Sequence, residues 1–122
     1  MVWGYRNGVP MTLRPDGVAL PRRAFKMYES APGIVTVKNI GSQVMSFSRL
    51  APGDLVFFDA ATDDGAAIDH VGMYLGRDGA GNERFLSSRK SINGPTLGDY
   101  NGQSILSGTG LYARSFRAVR RL

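Results

Sequence analysis

Leu50-Ala51-Pro52-Gly53-Asp54-Leu55-Val56-Phe57-Phe58 and, after a polar stretch, Asp69-His70-Val71-Gly72-Met73-Tyr74-Leu75-Gly76 decide the fold. Pro52-Gly53-Asp54 is a turn: Pro presets φ, Gly tolerates positive φ, and Asp bonds to nearby backbone. The four residues that follow are apolar without alternation. Such a run reads as a short strand buried on both faces. Residues 59–69 are small and acidic, so they form a loop. His70 to Gly76 alternates and reads as a second strand, half buried. Two adjacent strands of this kind, joined by one loop, imply an antiparallel sheet.

The rest of the chain extends that reading. Residues 77–83 are Gly-rich and connect a hairpin, and Arg84-Phe85-Leu86-Ser87-Ser88 is its returning strand. Residues 89–110 show little periodicity and read as a long loop. Leu111 to Leu122 alternates and reads as a final strand. Upstream, Ile34-Val35-Thr36-Val37 is β-branched and short, as strands are. Residues 20–30 fit a short helix, with Pro21 near its first turn, where a missing N–H does no harm. Phe25 and Tyr28 share one of its faces. Pro10, Pro15 and Asp16-Gly17 make residues 9–18 a loop. Trp3, Tyr5 and the Asn7-Gly8 stop give residues 1–8 the look of a helix end. The expected class is therefore α+β: short N-terminal helices followed by a small antiparallel β-sheet.

Composition bounds the function. The chain has 122 residues, of which 43% are hydrophobic. That suits one domain over residues 1–122. No apolar run reaches the ~20 residues of a membrane helix, and no export signal is legible. Cysteine is absent, which excludes disulfides, thiolate metal sites and a cysteine nucleophile within the chain. One histidine, His70, excludes a multi-imidazole metal centre. No cofactor and no metal is expected. The net charge of +5 permits an anionic partner such as cell wall or nucleic acid. The basic residues are scattered, however, except for the tail arginines Arg114, Arg117, Arg120 and Arg121, which a solvated strand face or a fraying terminus explains as well as phosphate contacts do.

His70 stands out chemically. An imidazole at a strand entrance can serve as a general base, because its ordinary pKa lies near working pH; it can also simply cap a loop. Ser42, Ser46 and Ser48 precede the Pro-Gly-Asp turn without any nucleophile-elbow signal. Asp59, Asp63, Asp64 and Asp69 lack calcium-loop spacing and read as a solvated loop. Asp54 reads as a turn residue.

Taken together, the paired segments resemble the NlpC family of cell-wall peptidases, papain-like cysteine endopeptidases that cut the peptide stems of peptidoglycan. The family's pattern is Pro-Gly-Asp-Leu-Val-Phe-Phe, then His-Val-Gly-Ile-Tyr-Leu-Gly. Gly17-Val18-Ala19-Leu20-Pro21-Arg22, Arg84-Phe85-Leu86-Ser87 and the tail from Ala113 to Arg121 also resemble family segments. The resemblance covers most of residues 17–122.

The resemblance implies roles. His70 would be the general base that makes a thiolate. Ser87 stands where the family places the residue that orients that base, and its neutral oxygen would stabilise imidazolium less than a carboxylate. The family's nucleophile lies in an Asp-Cys-Ser-Gly motif opening its first helix, and this sequence has no such motif. Met1 to Gly8 resembles the later part of that helix, so the domain is expected to be N-terminally incomplete. The implied partner is a peptidoglycan stem peptide, outside the cell or in the wall. Three readings stay open: a peptidase domain inactive as this chain, a non-catalytic wall-binding relative, and a small basic nucleic-acid-binding domain.

Overall fold

Strand β4 (Leu55–Phe58) is buried at every position, and the reason is that both of its faces are covered. The computed structural model describes residues 5–6, 9–10, 21, 23–61, 67–89, 94–97 and 104–122. Val56 and Phe58 point into one cluster with Tyr74, Phe85, Leu106, Phe116 and Val119. Leu55 and Phe57 point into a second, with Met27, Ile68 and Ala118. A helix lies over that second face. It is α1 (Ala24–Ser30), whose Met27 is buried and whose Tyr28 meets Phe57 edge-on at 5.6 Å.

Around β4 the sheet grows outward. Strand β5 (His70–Arg77) pairs antiparallel with it, Phe58 opposite His70 and Val56 opposite Gly72. Strand β6 (Glu83–Arg89) returns along β5, Tyr74 opposite Phe85. On the other side lies β8 (Phe116–Arg121), and beyond it β3 (Ile34–Val37). Strand β7 (Gly94–Thr96) closes the far side, giving the order β3-β8-β4-β5-β6-β7. The expected class, α+β with a small antiparallel sheet, is what the chain forms.

Several boundaries differ from the sequence reading. Residues 5–6 (β1, Tyr5–Arg6) pair antiparallel with residues 9–10 (β2, Val9–Pro10), so the segment read as a helix end carries a strand. The signal was ambiguous: Asn-Gly stops helices, but between two partnered residues it is also a strong hairpin signal. The helix starts later than residue 20, because Arg23 is the extended residue at its start, and Pro21 lies just ahead of it. Helix α1 ends before Pro32: a residue preceding proline is driven out of helical backbone, and Ala31 is extended.

The stretch 89–110 is less irregular than expected. Besides β7, Ile105 bridges Arg84, and Leu106 is fully buried. Pro95 is tolerated in β7 because an edge strand needs fewer ladder donors. The final alternating stretch begins with a helix, α2 (Leu111–Ser115), and only then becomes β8. Burial of Ala113 and Ser115 on the sheet overrides the strand-like alternation there.

The tail arginines also depart from expectation. Arg120 is buried and donates to the carbonyls of Tyr28 (2.9 Å), Ala31, Pro32 (3.2 Å) and Gly33 (3.4 Å), thereby bonding the carbonyls around the end of α1. Burial pushes its guanidinium pKa down from the usual value. Gly33 has φ of 88°, and a Cβ there would lie 1.8 Å from the Arg121 carbonyl oxygen, so only glycine fits. Arg121 forms a two-pronged pair with buried Asp54, Nε to Oδ1 at 2.9 Å and a terminal nitrogen to Oδ2 at 2.8 Å. Asp54 also accepts from the Ala51 N–H at 2.9 Å, so it closes the Pro-Gly-Asp turn as read and pins it to β8. Arg120 is therefore an internal fitting, and Arg121, though exposed, is tied to the Pro-Gly-Asp turn.

Candidate functional site

His70 opens β5 at the end where the chain enters the sheet from the acidic loop. Strand alternation turns it to the same face as Gly72 and Tyr74. On that face two rings flank the imidazole: Phe58 at 5.8 Å between centroids and Tyr112 at 5.0 Å, both tilted. Tyr112 itself leans on Phe58 (5.1 Å) and Phe85 (5.6 Å), edge-on in both cases. The imidazole is half-buried and its Nε2 is shielded from solvent. Aromatic packing on two sides fixes the ring's orientation, which a base needs before its pKa matters.

Ser87 lies on the neighbouring strand, on the same face and one step diagonal to His70. Its proximity depends on Gly72. A Cβ on Gly72 would sit 2.8 Å from the Phe85 ring and 2.9 Å from the Leu86 carbonyl oxygen, and 3.4 Å from Ser87 Cβ. Glycine therefore lets β6 settle against β5 beside the imidazole. Ser87 is buried, and its Oγ has no hydrogen-bond partner among the described residues. It accordingly makes no hydrogen bond to His70 in this arrangement.

Two carboxylates stand at the same end of the sheet. Asp69, next to His70, accepts from the N–H groups of Ala60 and Ala61, both at 2.8 Å. It thus clamps the two ends of the acidic loop together. Asp59 is held by its own N–H, which donates to the Ser115 carbonyl at 2.9 Å. Its Oδ1 is buried and has no partner among the described residues. Burial raises the Asp59 pKa, the nearby Asp69 carboxylate raises it further, and Arg117 pulls it back. These two are structural members of the loop rather than freely solvated groups. Asp63 and Asp64 lie outside the described residues. Among the described residues no group of three or more acidic, cysteine or histidine side chains could hold a metal ion.

Nothing in this arrangement supplies an attacking thiol, since the chain has no cysteine. Ser46 and Ser48 are exposed, 3.3 Å apart, and bonded to each other. Neither they nor Ser42 forms a pair with His70 among the described contacts. Among the described residues, no side chain is paired with His70 as an attacking group would be.

The sequence match decides the family. The NlpC/P60 family model matches residues 8–112, most of the chain, and includes β4, β5, β6 and their loops. The chain belongs to the NlpC/P60 family. No curated protein and no solved structure matches it. The NlpC/P60 fold is papain-like, and membership makes this a cell-wall peptidase-like domain. No helix among the described residues is long and apolar enough to cross a membrane.

Tyr112 is the residue that sequence reasoning missed. It sits in Gly110-Leu111-Tyr112-Ala113, which carries no motif, and it reaches His70 only because α2 folds back over the sheet. Asp59 was seen only as a loop acid. The apolar run before it, which ends at the partner of His70, was the signal that it borders the site.

Proposed function

We propose that this chain is a peptidoglycan-peptide-recognising domain of the NlpC/P60 type that does not cleave its ligand as this chain. His70 takes the place of the general base, and Ser87 the place of the group that orients it. The observation that carries the reading is the lone imidazole, held between Phe58 and Tyr112 at the head of β5, in a chain without cysteine. The thiol-protease chemistry of the family needs a thiolate, and this chain holds no cysteine to supply one. Stem peptides place the working protein outside the cell or in the wall. Nucleic acid is the weaker alternative, because Arg120 and Arg121 are engaged within the fold.

The test uses purified cell wall. The chain is expected to co-sediment with peptidoglycan and to release no stem-peptide fragments. An added N-terminal segment bearing Asp-Cys-Ser-Gly is expected to switch cleavage on, and His70→Ala to abolish it. Fragment release by the unmodified chain that survives His70→Ala would show that the site lies elsewhere. Failure to bind wall, with salt-sensitive binding to DNA, would favour the nucleic-acid reading.

A further inference from the structure

A groove of about 300 Å³ runs between the end of β3 and the segment that follows it. Val37, Lys38, Ile40, Met45, Arg49 and Arg117 line it, and no acidic or aromatic side chain does. Ile40 and Met45 are 78% and 77% exposed, more than any other large apolar side chain among the described residues. Water-exposed apolar groups beside a concavity mark an interaction site more often than isolated ones do.

The charges point the same way. Among the described residues Lys38, Arg49 and Arg117 form no ion pair; the pairs there are Lys26–Glu29, Arg77–Glu83, Arg84–Asp78 and Arg121–Asp54. Arg49 donates to the Thr36 carbonyl at 3.3 Å, and Arg117 to the Arg114 carbonyl at 2.8 Å. Asp59 feels the charge of Arg117 without pairing with it. Three cations thus face one groove, none of them in an ion pair among the described residues. A second cleft, of about 550 Å³, continues past Thr36, Arg49 and Arg121. Alongside runs β3, an edge strand whose Ile34 and Val35 are exposed. An edge strand with exposed β-branched residues is open to pairing with an extended chain.

We infer that this groove docks an extended, acidic peptide segment of a partner protein. One apolar side chain of that segment lies between Ile40 and Met45, and its carboxylates face Lys38, Arg49 and Arg117. The concave shape and the strand edge favour a peptide over a flat lipid surface. The missing aromatic platform disfavours single-stranded nucleic acid. The inference stands apart from the His70 site and does not rest on wall binding.

The experiment uses the full chain and a fluorescein-labelled, end-blocked peptide of Asp and Glu with one central Leu, read by anisotropy. Saturable binding is expected. It should weaken roughly tenfold or more with Lys38→Glu, with Met45→Asp, and on raising salt from about 50 to about 500 mM. Both substituted side chains are exposed, and circular dichroism checks that the variants stay folded. A peptide with Leu replaced by Ser should bind less, and one with Asn and Gln for the acids should not bind. No binding at millimolar peptide would overturn the inference, as would binding indifferent to both variants. So would capture by anionic phosphatidylglycerol vesicles without peptide binding, which would make the patch a membrane contact. Competition by soluble wall peptides would also overturn it, by merging the groove with the wall site.

Discussion

At the hairpin end of the β5–β6 ladder, Tyr74 donates its hydroxyl hydrogen to Glu83 Oε2, and Arg77 grips Glu83 Oε1 through two nitrogens at 3.1 and 3.0 Å. Asp78 there accepts from the N–H groups of Ala80 and Asn82, each at 2.9 Å, and pairs with Arg84 at 3.2 Å. At the opposite end, beside His70, Ser87 Oγ and Asp59 Oδ1 are buried with no partner among the described residues. One strand pair thus has a saturated end and an unsaturated one. Buried polar atoms are nearly always bonded, so a cluster that is not bonded marks where a fold has been shaped for something other than its own stability. The saturated end holds the ladder in register; at the other end Ser87 Oγ and Asp59 Oδ1 contribute nothing to it.

Substitutions can break this contrast, beginning at the saturated end. Glu83→Ala would bury the Tyr74 hydroxyl without its acceptor and leave Arg77 unpaired. A loss of about 3 kcal/mol is expected in urea unfolding, since removing one partner of a buried pair exposes the other's desolvation cost. A loss under ~1 kcal/mol would erase the distinction between the ends. Gly72→Ala acts at the junction, by forcing a methyl against the Phe85 ring and the Leu86 carbonyl. The expected cost is about 2 kcal/mol, with faster amide exchange along β6, as overpacking of a closely apposed ladder predicts. Ser87→Ala should change stability by no more than about 0.5 kcal/mol, because an unbonded hydroxyl has little to lose. A loss near 2 kcal/mol would show that Ser87 is bonded after all.

The smallest effects come from pH. Burial, then the hydrogen bond to Glu83, pushes the Tyr74 hydroxyl up to about 12 from an ordinary value of 10.0. A folded-state pKa above the unfolded one stabilises below pH 10, and that contribution fades as pH rises toward 12. Phenolate absorbance should therefore show a tyrosine titrating late in the folded chain. Asp78 is shifted the other way: the Asn82 N–H and its other donors hold its carboxyl at about 2, against an ordinary 3.8. Its contribution is complete above 3.8 and is lost as pH falls through about 2. Carbon-detected carboxyl titration reads this directly, and an Asp78 that titrates near 4 would mean the turn is loosely made.

What the sequence revealed and concealed follows from the range of the forces involved. Leu55–Phe58 and His70–Gly76 were legible because their apolar pattern reflects burial residue by residue. Ser87 was legible only through the family resemblance, since nothing in its own surroundings in the sequence ties it to His70. Tyr112 was not legible, since its contact with His70 depends on where α2 turns, and α2 itself was hidden under a strand-like alternation. Arg120 misled for a similar reason. Arginine in an alternating tail reads as solvated, but its partners lie near Ala31, far away in the chain, and only the position of β8 brings them together.

The insertion of β8 between β3 and β4 also has a bearing on how the protein is made. During synthesis, β3 and β4 emerge long before the strand that joins them. Until Phe116–Arg121 leaves the ribosome, the apolar flank of β4 that β8 will cover is open, and β3 has no neighbour to hold it. The meander from β4 to β7 can pair as its strands appear, but the joining of β3 to β4 through β8 comes last, in one closure over a long loop. A nascent chain stalled before Phe116 should be sensitive to protease along β3 and β4, and prone to capture by holdase chaperones.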